Sequence, residues 1–437
     1  MENTTEINKT KRVAFYTLGC KLNFAETSMI STKFLDNGFT KVNFNDESDI
    51  FIINTCSVTQ VADKKCRNAI KKATGNGAKV VVIGCYAQLK PDEISKIEGV
   101  DLVLGAKDKF RVVEHVQELL ENNHKKVYSC DINTIKDFDA SFSTSDRTRA
   151  FLKVQDGCDY NCTYCTIPLA RGRSRNDTIS AIVEQAKTIA SRGMKEIVLT
   201  GVNIGDFGHS SNENFLSLIK ELDNVDNIER YRISSIEPNL VNEEIINFVF
   251  HSKKFVSHFH IPLQSGSDKI LSAMGRRYNL GLYKSRVNFI KEIMPFSCIG
   301  ADVIVGFPGE SEQDFNDTLA FIESLNINYL HIFPYSERPD TKALKLNNKV
   351  LPFEKESRSK RLIELSEKIR KEFYNQNFGR SEKVIFESRM IGGFMTGFTS
   401  NYIKVETKYN KDLIGKVCDV NISSISKSGN CSVIFNS

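Results

Sequence analysis

Short apolar runs alternate with helical segments along most of this 437-residue chain. Such alternation is typical of parallel sheets with helices between the strands. From residue 144 onward, six strand-then-helix units follow one another and predict a partial (β/α)6 barrel, whose working groups lie at the carboxyl ends of the strands. Residues 11–125 alternate in the same way and predict a separate parallel α/β domain. The expected fold class is therefore α/β.

The end of the chain has a different character. A charged helix is predicted from Pro352, and beyond it VIFESRM, YIKVET and CSVIF are short alternating strands separated by Gly and Asn. Short strands with such spacers predict a small β-barrel. The pattern therefore predicts three domains, the last of them over residues 376–437.

Composition excludes several classes of protein. At 41% apolar residues the chain can bury large cores. No apolar run approaches the roughly 20 residues needed to cross a bilayer, so we expect a cytoplasmic protein without a membrane partner. Eleven cysteines, an odd number, argue against a disulfide framework and leave metal binding, catalysis or burial. The formal net charge of +5 permits a polyanionic partner without requiring one.

Three cysteines lie close together directly after a predicted strand. The segment QDGCDYNCTYC contains Cys158, Cys162 and Cys165. A structural zinc ion would need a fourth nearby ligand, and none follows at the usual spacing. An iron–sulfur cluster held by three thiolates leaves one iron free for a substrate or cofactor. A zinc half-site completed from elsewhere in the chain is the alternative at this point.

The segment CDYNCTYC resembles the CxxxCxxC signature of radical S-adenosylmethionine enzymes. The resemblance implies that the three thiolates hold a 4Fe-4S cluster, that S-adenosyl-L-methionine occupies the fourth iron, and that a 5′-deoxyadenosyl radical is produced. The motifs TGVNIG, SSIEP, PLQSGS and VIVGFPGE fall at ends of predicted strands, where a cofactor would lie. Within these motifs we expect the following residues to bind the cofactor: Gly201, Asn203, Glu237 and Gln264.

A second set of cysteines is dispersed along the N-terminal domain. Cys20, Cys56 and Cys85 each follow a predicted parallel strand, and the carboxyl ends of parallel strands meet at one edge of a sheet. Taken singly, each would be expected to be an inert buried cysteine. The surrounding motifs TLGCKLN, NTCSVT and GCYAQ, however, resemble the N-terminal signature of the methylthiotransferase family. That resemblance covers nearly the whole chain and implies an N-terminal domain over 11–125, a radical core over 144–373 and a C-terminal RNA-binding TRAM barrel over 376–437. It also implies an auxiliary 4Fe-4S cluster on these three thiols.

Cationic and aromatic residues are consistent with an RNA substrate. Arg171, Arg173 and Arg175 follow the radical motif, and guanidinium groups suit phosphate or carboxylate capture because they present fixed bidentate forks. A solvated charged face is the alternative for such a run. In the C-terminal barrel, Phe398 and Tyr402 lie among Lys and Arg residues, a mixture suited to backbone contacts and base stacking on RNA.

Two histidines, His258 and His260, alternate on a predicted strand of the partial barrel. This spacing fits one pleated face of a barrel as well as it fits a pair of metal ligands. We expect both histidines to be structural.

The motifs TLGCKLNFAET, QDGCDYNCTYCTIPLARGRSR and TGVNIGDFG are closer to the MtaB-type branch of the methylthiotransferase family than to its other branches. This branch implies methylthiolation of C2 of N6-threonylcarbamoyladenosine at position 37 of tRNA. The implied partners are the tRNA anticodon stem-loop and an electron donor, and no DNA. The threonylcarbamoyl carboxylate would need a cationic partner, for which Arg173 is the first candidate. The candidate catalytic residues are therefore the three cysteines of the radical motif and Arg173.

Two alternative functions stay open at the level of sequence. One is a methylthiotransferase that modifies an aspartate of ribosomal protein S12, and the other is a non-catalytic RNA-binding iron–sulfur redox protein. The redox protein would need one cluster and no cofactor-binding barrel, so six ligand cysteines argue against it. The protein-modifying enzyme would use the same cysteines, so an assay is needed to distinguish it from an enzyme that modifies tRNA.

Overall fold

The computed structural model describes residues 10–57, 59–75, 77–122, 125–144, 148–209 and 211–436. These residues form two compact units. The first comprises Met1–Ser143 and Thr166–Arg173, and the second comprises Thr144–Cys165 and Ser174–Ser437. The short segment after Cys165 therefore belongs to the first unit, and the C-terminal strands share the second unit with the strand–helix repeats before them. The expected end of the last domain, residue 437, lies outside the described residues.

The first unit consists of a sheet and the helices that connect its strands. Its elements are β1 (Arg12–Thr17), α1 (Lys21–Asp36), β2 (Thr40–Val42), β3 (Ile50–Thr55), α2 (Gln60–Thr74), β4 (Lys79–Gly84), α3 (Cys85–Leu89), α4 (Pro91–Ser95), β5 (Val100–Leu104), α5 (Val112–Asn122), β6 (Lys126–Tyr128) and, from the segment after Cys165, α6 (Ile167–Arg171). The strands lie in the order β2-β1-β3-β4-β5-β6, and all five neighbouring pairs are parallel. The predicted parallel α/β fold is confirmed.

Strands β3 and β4 lie in the middle of this sheet and are buried on both faces. Near-continuous apolar runs of this kind are typical of parallel strands that are covered on both sides. Ile52 and Val81 pack with α1 and α5 on one face, whereas Phe51 and Val82 pack with α2 on the other. The register brings the carboxyl ends of β1, β3 and β4 side by side at one edge of the sheet.

The second unit begins with six strands, each followed by at least one helix. Its elements are β7 (Ala150–Lys153), α7 (Ile179–Ser191), β8 (Glu196–Thr200), α8 (Phe215–Asp223), β9 (Arg230–Ile233), α9 (Glu243–His251), β10 (His258–His260), α10 (Asp268–Met274), α11 (Leu280–Ile293), β11 (Cys298–Val305), α12 (Glu312–Glu323), β12 (Tyr329–Pro334) and α13 (Pro352–Gln376). The strands form two parallel sheets, β7-β8-β9 and β10-β11-β12. Parallel bridges join these sheets, pairing Tyr231 with Phe255 and Ser235 with His260. This is the predicted partial (β/α)6 barrel.

The chain ends in a closed β-barrel. Its strands are β13 (Ser381–Ile391), β14 (Phe394–Thr399), β15 (Lys404–Lys408), β16 (Val417–Ile425) and β17 (Cys431–Phe435). They close in the order β13-β14-β15-β17-β16 around a core that includes Val384, Phe386, Val405 and Val420. The predicted small β-barrel is confirmed. Across the part of the chain that the structure describes, no helix has both the length and the apolar character needed to span a membrane.

A buried cluster of charged side chains, the Glu196 cluster, fastens the β-barrel to the strands of the partial barrel. Glu196 in β8 pairs with Arg230 and Arg232 in β9, and all three are buried. Burial raises the pKa of Glu196, but the arginines outweigh this effect and lower the pKa to about 2. Arg230 also donates to the carbonyl oxygen of Lys383 at 3.0 Å, and Arg232 donates to that of Ser400 at 3.1 Å. Each arginine thus joins Glu196 to the backbone of the β-barrel.

The aromatic residues of the β-barrel near this cluster make contacts within the second unit. Phe398 and Tyr402 stack with ring centroids 4.8 Å apart. The guanidinium of Arg149 lies 4.7 Å from the Phe398 ring centroid, and that of Arg232 lies 5.0 Å from the Tyr402 centroid. The ring of His258 also stacks on Tyr402, at 4.1 Å. The two rings that were expected to stack on RNA bases therefore pack against residues of the partial barrel.

Candidate functional site

The three cysteines of the radical motif lie in the loop that follows β7. Cys158, Cys162 and Cys165 are each half-buried. Burial, together with the two neighbouring thiols, raises the pKa of Cys158 to about 12. The N–H of Tyr160 donates to Sγ of Cys158 at 3.4 Å. The structure thus brings the three thiols together, with a backbone donor directed at one sulfur.

A buried glutamine that sequence reasoning missed holds this loop. Nε2 of Gln155 donates to the carbonyl oxygens of Asp156 and Gly157 at 2.9 and 2.7 Å. Its Oε1 accepts from the N–H groups of Val202 and Asn203 at 3.0 and 2.8 Å. One side chain therefore ties the cysteine loop after β7 to the TGVN loop after β8. The available signal was a polar residue at the end of the apolar run FLKV.

Arg175, one of the three arginines considered for substrate capture, supports the cysteine loop. Its Nη2 lies 3.2 Å from Oδ2 of Asp156, and the two backbones exchange hydrogen bonds of 2.9 Å. Nζ of Lys153 lies 2.9 Å from the same Oδ2. Because Asp156 precedes Cys158 by two residues, these two cations fix the start of the loop. Arg175 therefore has a structural role.

Arg276, in the loop after α10, contacts the cysteine loop from far along the sequence. Its Nη1 donates to Sγ of Cys162 at 3.1 Å and to the hydroxyl oxygen of Tyr164 at 3.3 Å. Its Nη2 pairs with the carboxylate of Glu237, and only 4% of the Arg276 side chain is exposed. Burial raises the pKa of Cys162, and Arg276 acts in the opposite direction. A buried guanidinium at the sulfur favours the thiolate, which is the form that binds metal.

Two of the predicted cofactor-binding residues lie in the loop after β8. A Cβ atom at Gly201 would lie 3.0 Å from the carbonyl oxygen and from Oε1 of Gln155, so the glycine permits the close approach of Gln155. Asn203 is buried, and among the described residues its Nδ2 and Oδ1 have no hydrogen-bond partner. Burying an amide without hydrogen-bond partners lowers the stability of the fold, unless a bound ligand supplies those partners. Asn203 is therefore a better candidate than Gly201 for direct cofactor contact.

The other two predicted residues follow β9 and β10. Glu237 is paired with Arg276, and 16% of its side chain is exposed. Gln264 has a φ of 65°, in the left-handed region that is uncommon for residues other than glycine. Its N–H donates to the carbonyl oxygen of Asp302 at 2.8 Å, and the N–H of Ile304 donates to its own carbonyl oxygen at 2.9 Å. Backbone strain of this kind clusters at functional sites, which supports Gln264 as a candidate.

The second trio of cysteines meets at the carboxyl edge of the first unit's sheet. Cys20 directly precedes α1, Cys56 directly follows β3, and Cys85 directly follows β4. A Cβ atom at Gly19, beside Cys20, would lie 3.0 Å from Sγ of Cys56. Burial raises the pKa of Cys85, and Cys20 is close enough to add to that effect. The structure thus brings these three thiols together as well.

A buried charge cluster, the Glu26 cluster, lies beside the second trio. Oε1 of Glu26 lies 2.7 Å from Nζ of Lys109 and 2.9 Å from Nη1 of Arg171. Nη2 of Arg171 also donates to Oδ1 of Asn23 at 2.6 Å, and the Cys20 thiol donates to the same oxygen at 3.9 Å. Two cations on one carboxylate place positive charge next to thiols that become negative when they bind iron. Arg171 therefore has a structural role in the first unit.

Both trios have donor chemistry that fits a 4Fe-4S cluster with one open iron. Each supplies three thiols, the ligands that such clusters use, and each has a buried arginine nearby. The buried amide of Asn203 fits a polar cofactor such as S-adenosyl-L-methionine, because it offers both a donor and an acceptor. Gln155 ties the loop of Asn203 to the radical motif.

Comparison with known proteins decides the family. Residues 12–105 match uncharacterized protein family UPF0004, and residues 152–322 match the radical SAM superfamily. The threonylcarbamoyladenosine tRNA methylthiotransferase MtaB of Aquifex aeolicus (strain VF5) is 41% identical over 416 residues, which cover 94% of this chain and 99% of that protein. This chain belongs to the radical S-adenosylmethionine tRNA methylthiotransferase family. As a family member it uses two 4Fe-4S clusters and S-adenosyl-L-methionine.

Other members of the family are similar over comparable lengths. The MtaB protein of Bacillus subtilis (strain 168) is 38% identical, over 94% of this chain and 93% of that protein. The tRNA-2-methylthio-N6-dimethylallyladenosine synthase of Endomicrobium trichonymphae is 33% identical, over 93% of this chain and 96% of that protein. Among solved structures, the radical S-adenosylmethionine methyltransferase TsrM of Kitasatospora setae matches 74% of this chain and 73% of its own with a TM-score of 0.56 and 13% identity. At that identity the match shows the fold alone.

Proposed function

We propose that this chain methylthiolates C2 of N6-threonylcarbamoyladenosine at position 37 of tRNA, at the anticodon stem-loop and in the cytoplasm. The observation that carries the proposal is the gathering of two separate cysteine trios in one chain, at Cys158 and at Cys20. The choice of nucleoside rests on relatives named for threonylcarbamoyladenosine, which are 41% and 38% identical. A relative named for dimethylallyladenosine is less similar than these two, at 33% identity.

The two trios have different proposed roles. Cys158, Cys162 and Cys165 are the proposed ligands of the radical cluster. Its chemistry, once S-adenosyl-L-methionine is bound, is the generation of a 5′-deoxyadenosyl radical. Asn203 supplies a donor and an acceptor to the cofactor, and Gln155 holds the Asn203 loop against the cysteine loop. The second trio holds the auxiliary cluster for sulfur delivery. An electron donor of low potential is the further partner that this chemistry requires.

Arg173 is the proposed partner of the threonylcarbamoyl carboxylate. Arg171 pairs with Glu26, and Arg175 pairs with Asp156. Arg173 is exposed to solvent, where a substrate can approach its guanidinium. A guanidinium binds a carboxylate through two parallel hydrogen bonds, and a dimethylallyl group offers no carboxylate. Pairing of the carboxylate with Arg173 would therefore distinguish threonylcarbamoyladenosine from dimethylallyladenosine.

The β-barrel is the proposed contact for the tRNA backbone. Lys408, Lys411 and Lys416 are exposed and can approach phosphates. Phe398 and Tyr402 are already stacked within the second unit, so this proposal assigns them no role in RNA binding.

The test uses the full chain with both clusters reconstituted anaerobically, S-adenosyl-L-methionine and a reductant. Three forms of one tRNA are compared: threonylcarbamoylated, dimethylallylated and unmodified at position 37. We expect mass spectrometry of the nucleosides to find a 2-methylthio product from the first form alone. Arg173→Met should lower its formation at least about tenfold, because a charged pair is lost, while 5′-deoxyadenosine still forms. Arg111→Met, at an exposed arginine of the first unit, is the control and should change neither product.

Other outcomes would contradict the proposal at different levels. Equal or faster modification of the dimethylallylated tRNA, or of ribosomal protein S12, would contradict the choice of substrate. Formation of 5′-deoxyadenosine without any methylthiolated product from these substrates would contradict the reaction itself. Equal product formation by Arg173→Met and the wild-type chain would contradict the role of Arg173 alone.

A further inference from the structure

Three polar side chains from neighbouring strands of the second unit converge on one face of the sheet. They are His260 at the end of β10, Asp302 in β11 and His331 in β12. The register pairs His260 with Gly300 and Asp302 with His331, and residues two apart on a strand share a face. One nitrogen of each histidine and one oxygen of Asp302 all lie within 4.8 Å of one another. None of the three residues belongs to the cysteine sites.

The carboxylate of Asp302 lies between the two imidazole rings. Its Oδ1 is 2.9 Å from Nε2 of His260 and 3.2 Å from Nδ1 of His331. The carboxylate thus lies between two nitrogens that can each turn a lone pair toward a cation.

A second layer of hydrogen bonds holds the ring of His260 in place. Nδ1 of His260 lies 3.1 Å from the hydroxyl oxygen of Tyr329, which lies 3.0 Å from Nε2 of His258. A Cβ atom at Gly300 would clash with the Tyr329 ring, so this glycine makes room for the tyrosine. When a metal ion replaces the proton on Nε2 of His260, the ring keeps its proton on Nδ1 and donates it to Tyr329, and Tyr329 donates to His258. Metal-binding histidines are characteristically oriented in this way through the second ring nitrogen.

The side chains of the three residues differ in solvent exposure, and the most exposed of them marks the side from which solvent can reach the cluster. The side chain of His331 is 54% exposed, that of Asp302 21% and that of His260 11%. A cation held between them would therefore be shielded by His260 and accessible beside His331. Two histidines and one carboxylate with free positions on one side form a donor set that suits divalent iron, cobalt or zinc.

We propose that His260, Asp302 and His331 bind one divalent first-row transition metal ion. His260 binds through Nε2, Asp302 through Oδ1 and His331 through Nδ1, and oxygen ligands such as water or a carboxylate complete the coordination. The site is independent of the two iron–sulfur clusters, because its donors are nitrogen and oxygen and the clusters use thiolates. Its binding of metal does not depend on the reaction proposed above.

The test measures zinc on the holoenzyme, so that the cysteines are occupied by iron. The anaerobically reconstituted full chain is dialysed against zinc chloride and analysed for zinc and iron by mass spectrometry. We expect one zinc ion per chain in addition to the iron. X-ray absorption at the zinc edge should give nitrogen and oxygen neighbours at about 2.0–2.1 Å and no sulfur at about 2.3 Å.

Variants assign the zinc to these residues. His331→Ala removes an exposed ligand with little risk to folding, and it should weaken zinc binding at least about tenfold, as should Asp302→Asn. His251→Ala, at an exposed helix residue, is the matched control and should bind zinc like the wild-type chain. Absence of bound zinc, a sulfur shell, or unchanged affinity in His331→Ala would overturn the proposal. If a preparation that gave one of these three results still methylthiolated tRNA, the metal site alone would be refuted and the proposed function would stand.

Discussion

Replacing Arg276 with methionine tests whether a buried cation adjusts the radical cluster. Nη1 of Arg276 lies 3.1 Å from Sγ of Cys162, a proposed ligand, and the side chain is 4% exposed. A hydrogen bond that involves a charged group contributes about 1.5–3 kcal/mol. For a one-electron couple, about 1.4 kcal/mol corresponds to about 59 mV. The whole hydrogen bond is therefore equivalent to a change of about 60–130 mV in the reduction potential of the cluster.

The direction of the change follows from charge. The reduced cluster carries one more negative charge than the oxidised cluster, so a neighbouring guanidinium stabilises the reduced form more strongly. Removing it should lower the reduction potential. Because part of the interaction is present in both oxidation states, we expect a fall of about 60 mV, and 130 mV is the approximate ceiling. Reductive cleavage of S-adenosyl-L-methionine should slow accordingly.

The assay is a redox titration of the reconstituted full chain, followed by electron paramagnetic resonance. The signal of the radical cluster is recognised by its change when S-adenosyl-L-methionine is added. Arg277→Met is the matched control, because Arg277 is exposed and lies 3.9 Å above the Tyr160 ring rather than at a cysteine. An unchanged or raised potential in Arg276→Met, at full iron content, would refute the reasoning. An equal fall in Arg277→Met would show that the effect is not specific to the sulfur contact.

Two further predictions concern the auxiliary site and stability. Cys56→Ala should still form 5′-deoxyadenosine but no methylthiolated tRNA, as measured by mass spectrometry, and wild-type turnover would remove the second trio from the mechanism. Glu196→Gln should destabilise the chain at pH 7 by about 3 kcal/mol in urea unfolding, because its pKa is lowered from 4.5 to about 2. This contribution is present above about pH 4.5 and is lost as the pH falls toward about 2, so the variant and the wild-type chain should converge in acid. Glu387→Gln is the control, because the ion pair of Glu387 with Arg149 is more exposed, and it should lower the free energy of unfolding by less than about 1 kcal/mol. An equal loss of stability in both variants would contradict the buried role of Glu196.

Features that depend on local spacing could be predicted from the sequence. The strand–helix alternation predicted both parallel folds, since each strand carries its apolar pattern within a few residues. The meeting of Cys20, Cys56 and Cys85 could be argued because all three follow strands of one parallel sheet. The parallel register of β1, β3 and β4 places their carboxyl ends side by side, in agreement with this prediction.

Features that depend on distant partners could not be predicted. The RGRSR motif had the composition of a substrate clamp, yet Arg171 pairs with Glu26, which lies 145 positions away in the sequence. Arg276 lies 114 positions from Cys162, so no local pattern linked it to the cysteines. Phe398 and Tyr402 had the composition of an RNA-binding surface, but aromatic rings near arginines are equally suited to stacking within a protein.

The attachment of the β-barrel has a consequence for evolution and for engineering. Arg230 and Arg232 donate hydrogen bonds to backbone carbonyl oxygens of the β-barrel, such as those of Lys383 and Ser400. These two anchors therefore depend on the path of the main chain and not on which side chains the carbonyl residues carry. The residues that supply these carbonyl groups can therefore change without loss of the two anchors. A β-barrel taken from a relative could be grafted onto this chain if its strands present carbonyl groups at the same positions and if it keeps the side-chain contacts that Glu387, Phe398 and Tyr402 make here.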